Sequence, residues 1–206
     1  MRERIDRLIY EKRLWSQNYK RVMGLDEVGR GCLSGPVVAA GVILPVDTEL
    51  TEYMDSKKLV EIERVRLAKK VKDEALFWTV QSCTPAEIDE LNILNASIQA
   101  MSRCVETGGQ PDYLLVDGNR YTASLIPYQC ITGGDDLSAS ISAASILAKV
   151  YRDSIMKKLH LDYPHYGWNT NVGYPTKSHY EGLEKYGYTC HHRKSFKLRT
   201  ALQYVN

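Results

Sequence analysis

The chain has almost no net charge. Its 27 Lys and Arg stand against 25 Asp and Glu, leaving a formal +2, so attraction to a polyanion must come from a local patch and not from global basicity. Long apolar runs are missing as well. None approaches the roughly 18 residues that a membrane span requires, and the opening MRERIDRLIYEKRLW is charged throughout, without a signal-peptide core. Cysteine is sparse: Cys32, Cys83, Cys104, Cys130 and Cys190 are odd in number, widely spaced and form no C-x-x-C pair. That pattern argues against structural zinc and against a disulfide framework. It points to a reducing, cytoplasmic setting with idle thiols. Phenylalanine is rare, two against fourteen tyrosines, several of them crowded between 163 and 188. Such tyrosines pack half-buried or meet nucleic-acid sugars and bases. Repeats, low-complexity tracts and Gly/Ser linkers are also absent.

What is present is an ordinary globular composition, 44% apolar and 25% charged, in 206 residues. That is enough for one well-cored domain. Residues 3–20 predict an amphipathic helix with Ile5, Leu8, Ile9 and Trp15 toward the core. Strands are predicted over 21–29 and 35–45, and VVAAGVIL is apolar at consecutive positions, so both its faces should be covered. A helix is predicted over 56–75 with Leu67, Val71 and Ala75 in line, then a strand over 77–83. Thr84-Pro85-Ala86-Glu87 reads as a helix start, with Thr84 as cap, Pro85 at the first position and Glu87 closing a capping box. The helix that follows aligns Leu94, Ile98, Met101 and Val105. Strands are predicted at 113–118 and 128–132. A helix over 141–160 has a first half small and apolar nearly all round, hence buried, and loops with one last helix follow. Helices and strands mix without regular alternation, which gives an α/β class with a mixed sheet.

Acidic residues stand at three strand or turn ends. Asp26 and Glu27 close the first apolar strand, Asp117 closes YLLV, and Asp135 with Asp136 follows a glycine pair. Neighbouring side chains on a strand face opposite ways, so Asp26 and Glu27 can share a site only where the strand ends, as Gly29 and Gly31 allow. Carboxylates brought together repel and raise one another's pKa. Hard divalent cations such as Mg²⁺ or Mn²⁺ relieve this, and two of them roughly 4 Å apart serve in-line phosphodiester cleavage. The same D-E and D-G pairs are also ordinary turn chemistry. Between Asp135 and Asp136 the residues alone do not choose.

The wording is more specific than the spacing. GLDEVGRGCLSGPVVAAGVILP, DSKKL, EIDELNILNASIQAM, LLVDGNR, GDDLSASISAASILAKVYRD, GYPT and HRKSF, in this order between 22 and 196, resemble the successive signature blocks of type 2 ribonuclease H, the ribonuclease HII family. The resemblance implies a ribonuclease H-like fold, a mixed five-stranded sheet flanked by helices with a small C-terminal helical region. Within one domain over 1–206 it implies an N-terminal helix (1–20), the core (21–160) and a substrate-contacting region (161–206). It implies a metal-dependent endoribonuclease that hydrolyses the RNA strand of RNA–DNA hybrids. It further implies nicking 5′ of a ribonucleotide embedded in duplex DNA, leaving 3′-hydroxyl and 5′-phosphate ends.

By the same resemblance the acidic ligands of a two-metal Mg²⁺ or Mn²⁺ site fall on Asp26, Glu27, Asp117 and Asp135. The last is chosen because Ile141 of the ISAAS block lies six residues on. Gly29, Arg30 and Gly31 would present backbone to the ribose 2′-hydroxyl and its phosphate, and Tyr174 would stack on the deoxyribose beside the ribonucleotide. Lys57, Lys58, Lys149, and Arg193 with Lys194, would meet the phosphate backbone. His192 and Ser195 would support the site or the fold.

Two departures stand out: Cys32 replaces the usual proline after GRG, and Val172 replaces the usual lysine before GY. The loss of lysine supplies the main rival within the class, an enzyme that prefers long hybrids and acts weakly on single ribonucleotides. No clamp-binding motif is evident, and monomer is the default. The rival from another class, a non-catalytic hybrid-binding protein on the same fold, gains nothing from clustered negative charge.

Overall fold

The computed structural model describes residues 6–46, 48 and 60–198. Five strands form one sheet in the order β3-β2-β1-β4-β5: β1 (Val22–Val28), β2 (Val37–Ile43), β3 (Phe77–Cys83), β4 (Tyr113–Asp117) and β5 (Tyr128–Ile131). β1 pairs antiparallel with β2 and parallel with β4, so it is the central strand where direction changes. β2 pairs antiparallel with β3, and β4 parallel with β5. Every residue of β2 is buried, as a continuous apolar run covered on both faces requires.

Helices cover the two faces. On one lie α1 (Ile9–Ser16), α2 (Glu61–Glu74) and α6 (Ala139–Asp162), packed on Val22, Val38, Ala40, Val42 and Leu115. On the other lie α3 (Pro85–Leu91) and α4 (Ile93–Glu106), over Met23, Leu25, Val37, Ala39, Leu114 and Val116. α6 crosses β1 where Gly24 has no side chain: a Cβ there would sit 2.2 Å from the Ser140 carbonyl carbon. The small residues Ala139, Ser140, Ala143 and Ala144 at the start of α6 are buried for the same reason.

A third cluster joins the C-terminal region to the core. Leu33, Met156, Tyr166, Trp168 and Leu183 pack together, drawing in a 3₁₀ turn (Pro164–Tyr166), α7 (Trp168–Asn171) and α8 (Lys177–Tyr186). Between β5 and α6 lies one short turn of helix, α5 (Gly134–Leu137).

Several expectations shift. The N-terminal helix is shorter than 3–20: within the described residues it runs Ile9–Ser16 and stops before Asn18, which takes a left-handed φ of 72°. Leu8, Leu14 and Trp15 are buried, but Ile9 is exposed. In its place Glu11 turns inward and caps the start of α6, accepting from the Ser138 hydroxyl at 2.6 Å and from the Ser140 backbone N–H at 3.0 Å. On α4 the buried face is Ala96, Ala100, Met101 and Cys104, with Leu94, Ile98 and Val105 only partly covered. Small residues win that face because the helix approaches Gly41 closely, where a Cβ would lie 3.3 Å from that of Cys104. The capping box of Thr84 and Glu87 is present as expected. Among the described residues no helix is long and apolar enough to cross a membrane.

Candidate active site

The alternation of β1 sends Val22, Gly24 and Asp26 toward α6, while Met23 and Leu25 face α4. β1 and β4 run parallel with Leu25 opposite Val116, so one step further along the sheet stand Asp26, two residues before the end of β1, and Asp117, the last residue of β4. Glu27 belongs to the opposite face by parity, but β1 ends at Val28 and Gly29 turns the chain with φ 96°. α5 brings in the last acid: its Gly134 backbone N–H donates to Asp117 Oδ1 at 2.7 Å, and Asp135 is buried beside it. The neighbour Asp136 points away and pairs with Arg7 at 3.7 Å.

The four carboxylates Asp26, Glu27, Asp117 and Asp135 act on one another. Asp26 is pushed well above the ordinary carboxylate range, first by burial and then by the charges of Glu27 and Asp117, with Asp135 adding less; a hydrogen bond from Ser145 on α6 works the other way. Glu27 is also raised by burial, against the pull of Arg30. Each is held for now by a protein partner: Asp26 Oδ1 accepts from the Glu27 N–H at 2.8 Å, and Glu27 Oε1 accepts from Arg30 Nη1 at 3.2 Å. Among the described residues no three His, Cys, Asp or Glu side chains stand in metal-ligand geometry. The donors themselves are all carboxylate oxygens, which suit a hard divalent cation.

Beside the acids, the turn after β1 is held from within. Arg152 of α6 is wholly buried. Its Nε donates to the Pro36 carbonyl at 2.9 Å, Nη1 to Val172 at 2.7 Å and Nη2 to Ser34 at 3.0 Å. A Cβ on Gly29 would meet Arg152 Nε at 2.2 Å, so this glycine is required by the turn and by the arginine. Gly31 differs: a Cβ there would touch only Tyr174, at 3.8 Å. The ring of Tyr174, 40% exposed, therefore lies against the Gly-Arg-Gly turn, which unites two segments more than 140 residues apart. Cys32 is buried close to Tyr174, and burial raises its thiol pKa.

Arg193 is a correction. It was expected at the phosphate backbone, but it is 1% exposed. It donates twice to the Gly35 carbonyl, at 3.0 and 2.9 Å, and once to that of Arg30, at 3.0 Å. Burial lowers its pKa to about 10. It holds the turn from within, three of its N–H groups spent on backbone carbonyls. Lys149 is paired with Asp153 at 2.8 Å. Lys57 and Lys58 lie outside the described residues. The Lys194 and Ser195 N–H groups and the Ser195 hydroxyl all donate to Asp89 of α3, tying the C-terminal loop down. His192 is buried next to His179. Val172 takes a left-handed backbone, φ 42° and ψ 36°, which β-branched residues avoid.

Arg152 and Ser145 were not anticipated. A signal existed: they sit seven apart, two turns, on a helix whose buried stretch begins at Ala139. An arginine on the inward face of such a helix needs carbonyl or acid partners.

The family model described as ribonuclease HII matches residues 23–199. The chain belongs to the ribonuclease HII family. It is 48% identical over 196 residues to a ribonuclease HII of Salinibacter ruber, covering 93% of this chain and 98% of that protein. Among solved structures, ribonuclease H2 of Pyrococcus horikoshii superposes with a TM-score of 0.73 at 25% identity, over 86% of this chain and 94% of that one. The ribonuclease HII of Archaeoglobus fulgidus, solved in complex with PCNA, gives 0.73 at 24% identity over 87% of this chain and 96% of that one. That second likeness speaks for the fold alone. Ribonuclease HII membership makes the chain an endoribonuclease of the ribonuclease H type, acting on RNA–DNA hybrids.

Proposed function

We propose that Asp26, Glu27, Asp117 and Asp135 are the catalytic acids and hold divalent cations, Mg²⁺ or Mn²⁺, and that the enzyme nicks on the 5′ side of a ribonucleotide, in hybrids and within duplex DNA. The observation that carries this is Asp26: a buried carboxylate two residues before the end of the central strand, raised well above its usual range and acted on by three other acids. A cluster of that kind opposes a nucleic acid by charge unless cations lie between. Bound divalent ions supply a lowered pKa for the attacking water and positive charge against the departing 3′-oxygen.

The chain's own residues position the substrate. Gly29 shapes the turn and Gly31 leaves room for a sugar to approach, so that backbone there can meet the 2′-hydroxyl. Arg30, half exposed, reaches the adjoining phosphate, and in doing so leaves Glu27 free to turn toward a cation. Tyr174 packs its exposed ring on the deoxyribose that follows. Lys149 offers charge to the backbone when Asp153 releases it, and the region from 161 onward forms the wall along the duplex. A reducing, cytoplasmic setting fits the five free thiols; a single chain is the default.

A labelled DNA duplex with one ribonucleotide tests this, run with Mg²⁺, Mn²⁺ or EDTA, beside an all-DNA duplex and a long hybrid. Metal-dependent nicking 5′ of the ribonucleotide is expected, lost in Asp135→Asn. Cleavage of the hybrid alone would instead favour the hybrid-preferring enzyme that Val172 suggests. Silence on both substrates with either metal would sink the catalytic assignment.

A further inference from the structure

Behind Tyr174 lies a chain of buried imidazoles whose protons the geometry assigns. The backbone N–H of Thr189 donates to His192 Nδ1 at 3.0 Å. A backbone amide can only donate, so Nδ1 is bare and the proton of a neutral His192 sits on Nε2. That atom lies 3.2 Å from His179 Nε2. The other nitrogen of His179, Nδ1, faces the Tyr174 carbonyl at 2.9 Å. A carbonyl can only accept, so Nδ1 carries the proton and Nε2 is the acceptor. Trp168 independently requires this, since its Nε1–H donates to the same His179 Nε2 at 3.2 Å. Both rings are thereby satisfied as neutral imidazoles, in a fixed order from Thr189 through His192 and His179 to Tyr174.

Both ends of this chain are anchored to the turn that holds the Gly-Arg-Gly segment. His192 forms a β-bridge with Ser34, and the Leu33 N–H donates to the Gly173 carbonyl at 2.8 Å. The rings are closed off from water, His179 fully and His192 2% exposed. Tyr166 of the 3₁₀ turn, with Tyr188 and His191 of the loop after α8, are the titratable groups packed around them, and Asp162 acts on His191 from the end of α6.

We infer that His179, with His192 behind it, is the positioning residue for Tyr174, that it thereby sets how strongly the enzyme favours a ribonucleotide-to-DNA junction over a continuous hybrid, and that it does so only while both imidazoles are neutral. A proton added to His179 Nε2 would bring three N–H groups together, and one added to His192 Nδ1 would face the Thr189 amide N–H, with only the Thr189 hydroxyl, 2.9 Å away, to accept it. Either sets donor against donor within the packed rings and forces them apart, displacing the imidazole that holds the Tyr174 carbonyl. Burial keeps both rings from protonating: His179 is lowered, and His192 falls to about 4 with the help of His179 and His191. The inference rests on the reading of Tyr174 as the residue against the deoxyribose.

The test is the ratio of kcat/KM on the single-ribonucleotide duplex to that on the long hybrid, at neutral pH, for His179→Gln, His179→Asn, Tyr174→Ala and the His179→Gln/Tyr174→Ala double variant. Asparagine can keep a donor where Nδ1 stood and glutamine cannot. His179→Gln is expected to lower the ratio about fivefold, the effect of one lost hydrogen bond. The loss should fall in KM for the junction substrate, with His179→Asn recovering most of it. On the Tyr174→Ala background the glutamine change should have no further effect. A Tyr174→Ala variant with an unchanged ratio overturns the reading of Tyr174, and the inference with it. A lowered ratio there but not in His179→Gln, an equal fall on both substrates, or additive losses overturn the inference alone. Should the histidine variants fail to fold, the imidazole ¹⁵N resonances of the unaltered protein decide. His192 with Nε2–H and His179 with Nδ1–H at neutral pH are required, and the opposite tautomer or a charged ring overturns it.

Discussion

Asp135, on the single turn of α5, is buried, whereas the Asp136 side chain is about half exposed and paired with Arg7. Asp135→Asn should therefore reduce hybrid cleavage on the order of 10²-fold or more, while Asp136→Asn should leave it near the unaltered level, both read as initial rates at saturating metal. Gly29 gives a second contrast. With φ 96° and Arg152 Nε 2.2 Å from where a Cβ would stand, Gly29→Ala should destabilise the fold by more than about 1 kcal/mol and cut activity. Gly31→Ala, meeting only the Tyr174 ring at 3.8 Å, should keep stability and lose affinity for the ribonucleotide. Denaturation midpoints beside KM separate the two.

Among the elements, α6 organises the site. It presents Ser145 to Asp26, leans on Gly24, and carries Arg152 into the carbonyls of Ser34, Pro36 and Val172. Truncating Arg152 to Met would leave three buried acceptors without donors, so a loss of about 3 kcal/mol or more is expected in chemical denaturation. The strained backbone of Val172 would lose the bond that holds its carbonyl. α3 stands apart from the chemistry. Its capping box joins the Thr84 hydroxyl to the Glu87 N–H at 3.3 Å and the Thr84 N–H to the Glu87 carboxylate at 2.7 Å. Thr84→Ala should cost about 1 kcal/mol with cleavage unaltered, a control for general destabilisation.

For the whole molecule, two buried groups set opposite pH dependences. His192 is lowered to about 4 from 6.5, so the unfolded chain binds its proton first, and the stability it contributes is lost as pH falls from 6.5 toward 4. Asp26 is raised, so the folded chain holds its proton longer; that contribution is present at low pH and is lost as pH rises through the elevated value. In chelator, Asp26→Asn should then be more stable than the unaltered protein at neutral pH, by about 1 kcal/mol. The gap should close on acidification and shrink when Mg²⁺ or Mn²⁺ is added. Thermal unfolding across pH, with and without chelator, reads both slopes. A gap that grows on acidification would contradict the burial of the Asp26 charge.

Local sequence determined much of this protein. Consecutive apolar residues made β2 a strand covered on both faces, Thr84-Pro85 with Glu87 started a helix, and the wording of the acidic blocks carried the family. These are short-range matters of period, capping and motif. Which small residues of α4 face the sheet, that Glu11 rather than Ile9 turns inward, and that Arg193 holds carbonyls instead of phosphates were decided by the fold. So was the order of protons from Thr189 to Tyr174. Each depends on a partner far away in the chain, and only packing brings the two within hydrogen-bond reach and removes the water that would otherwise satisfy them.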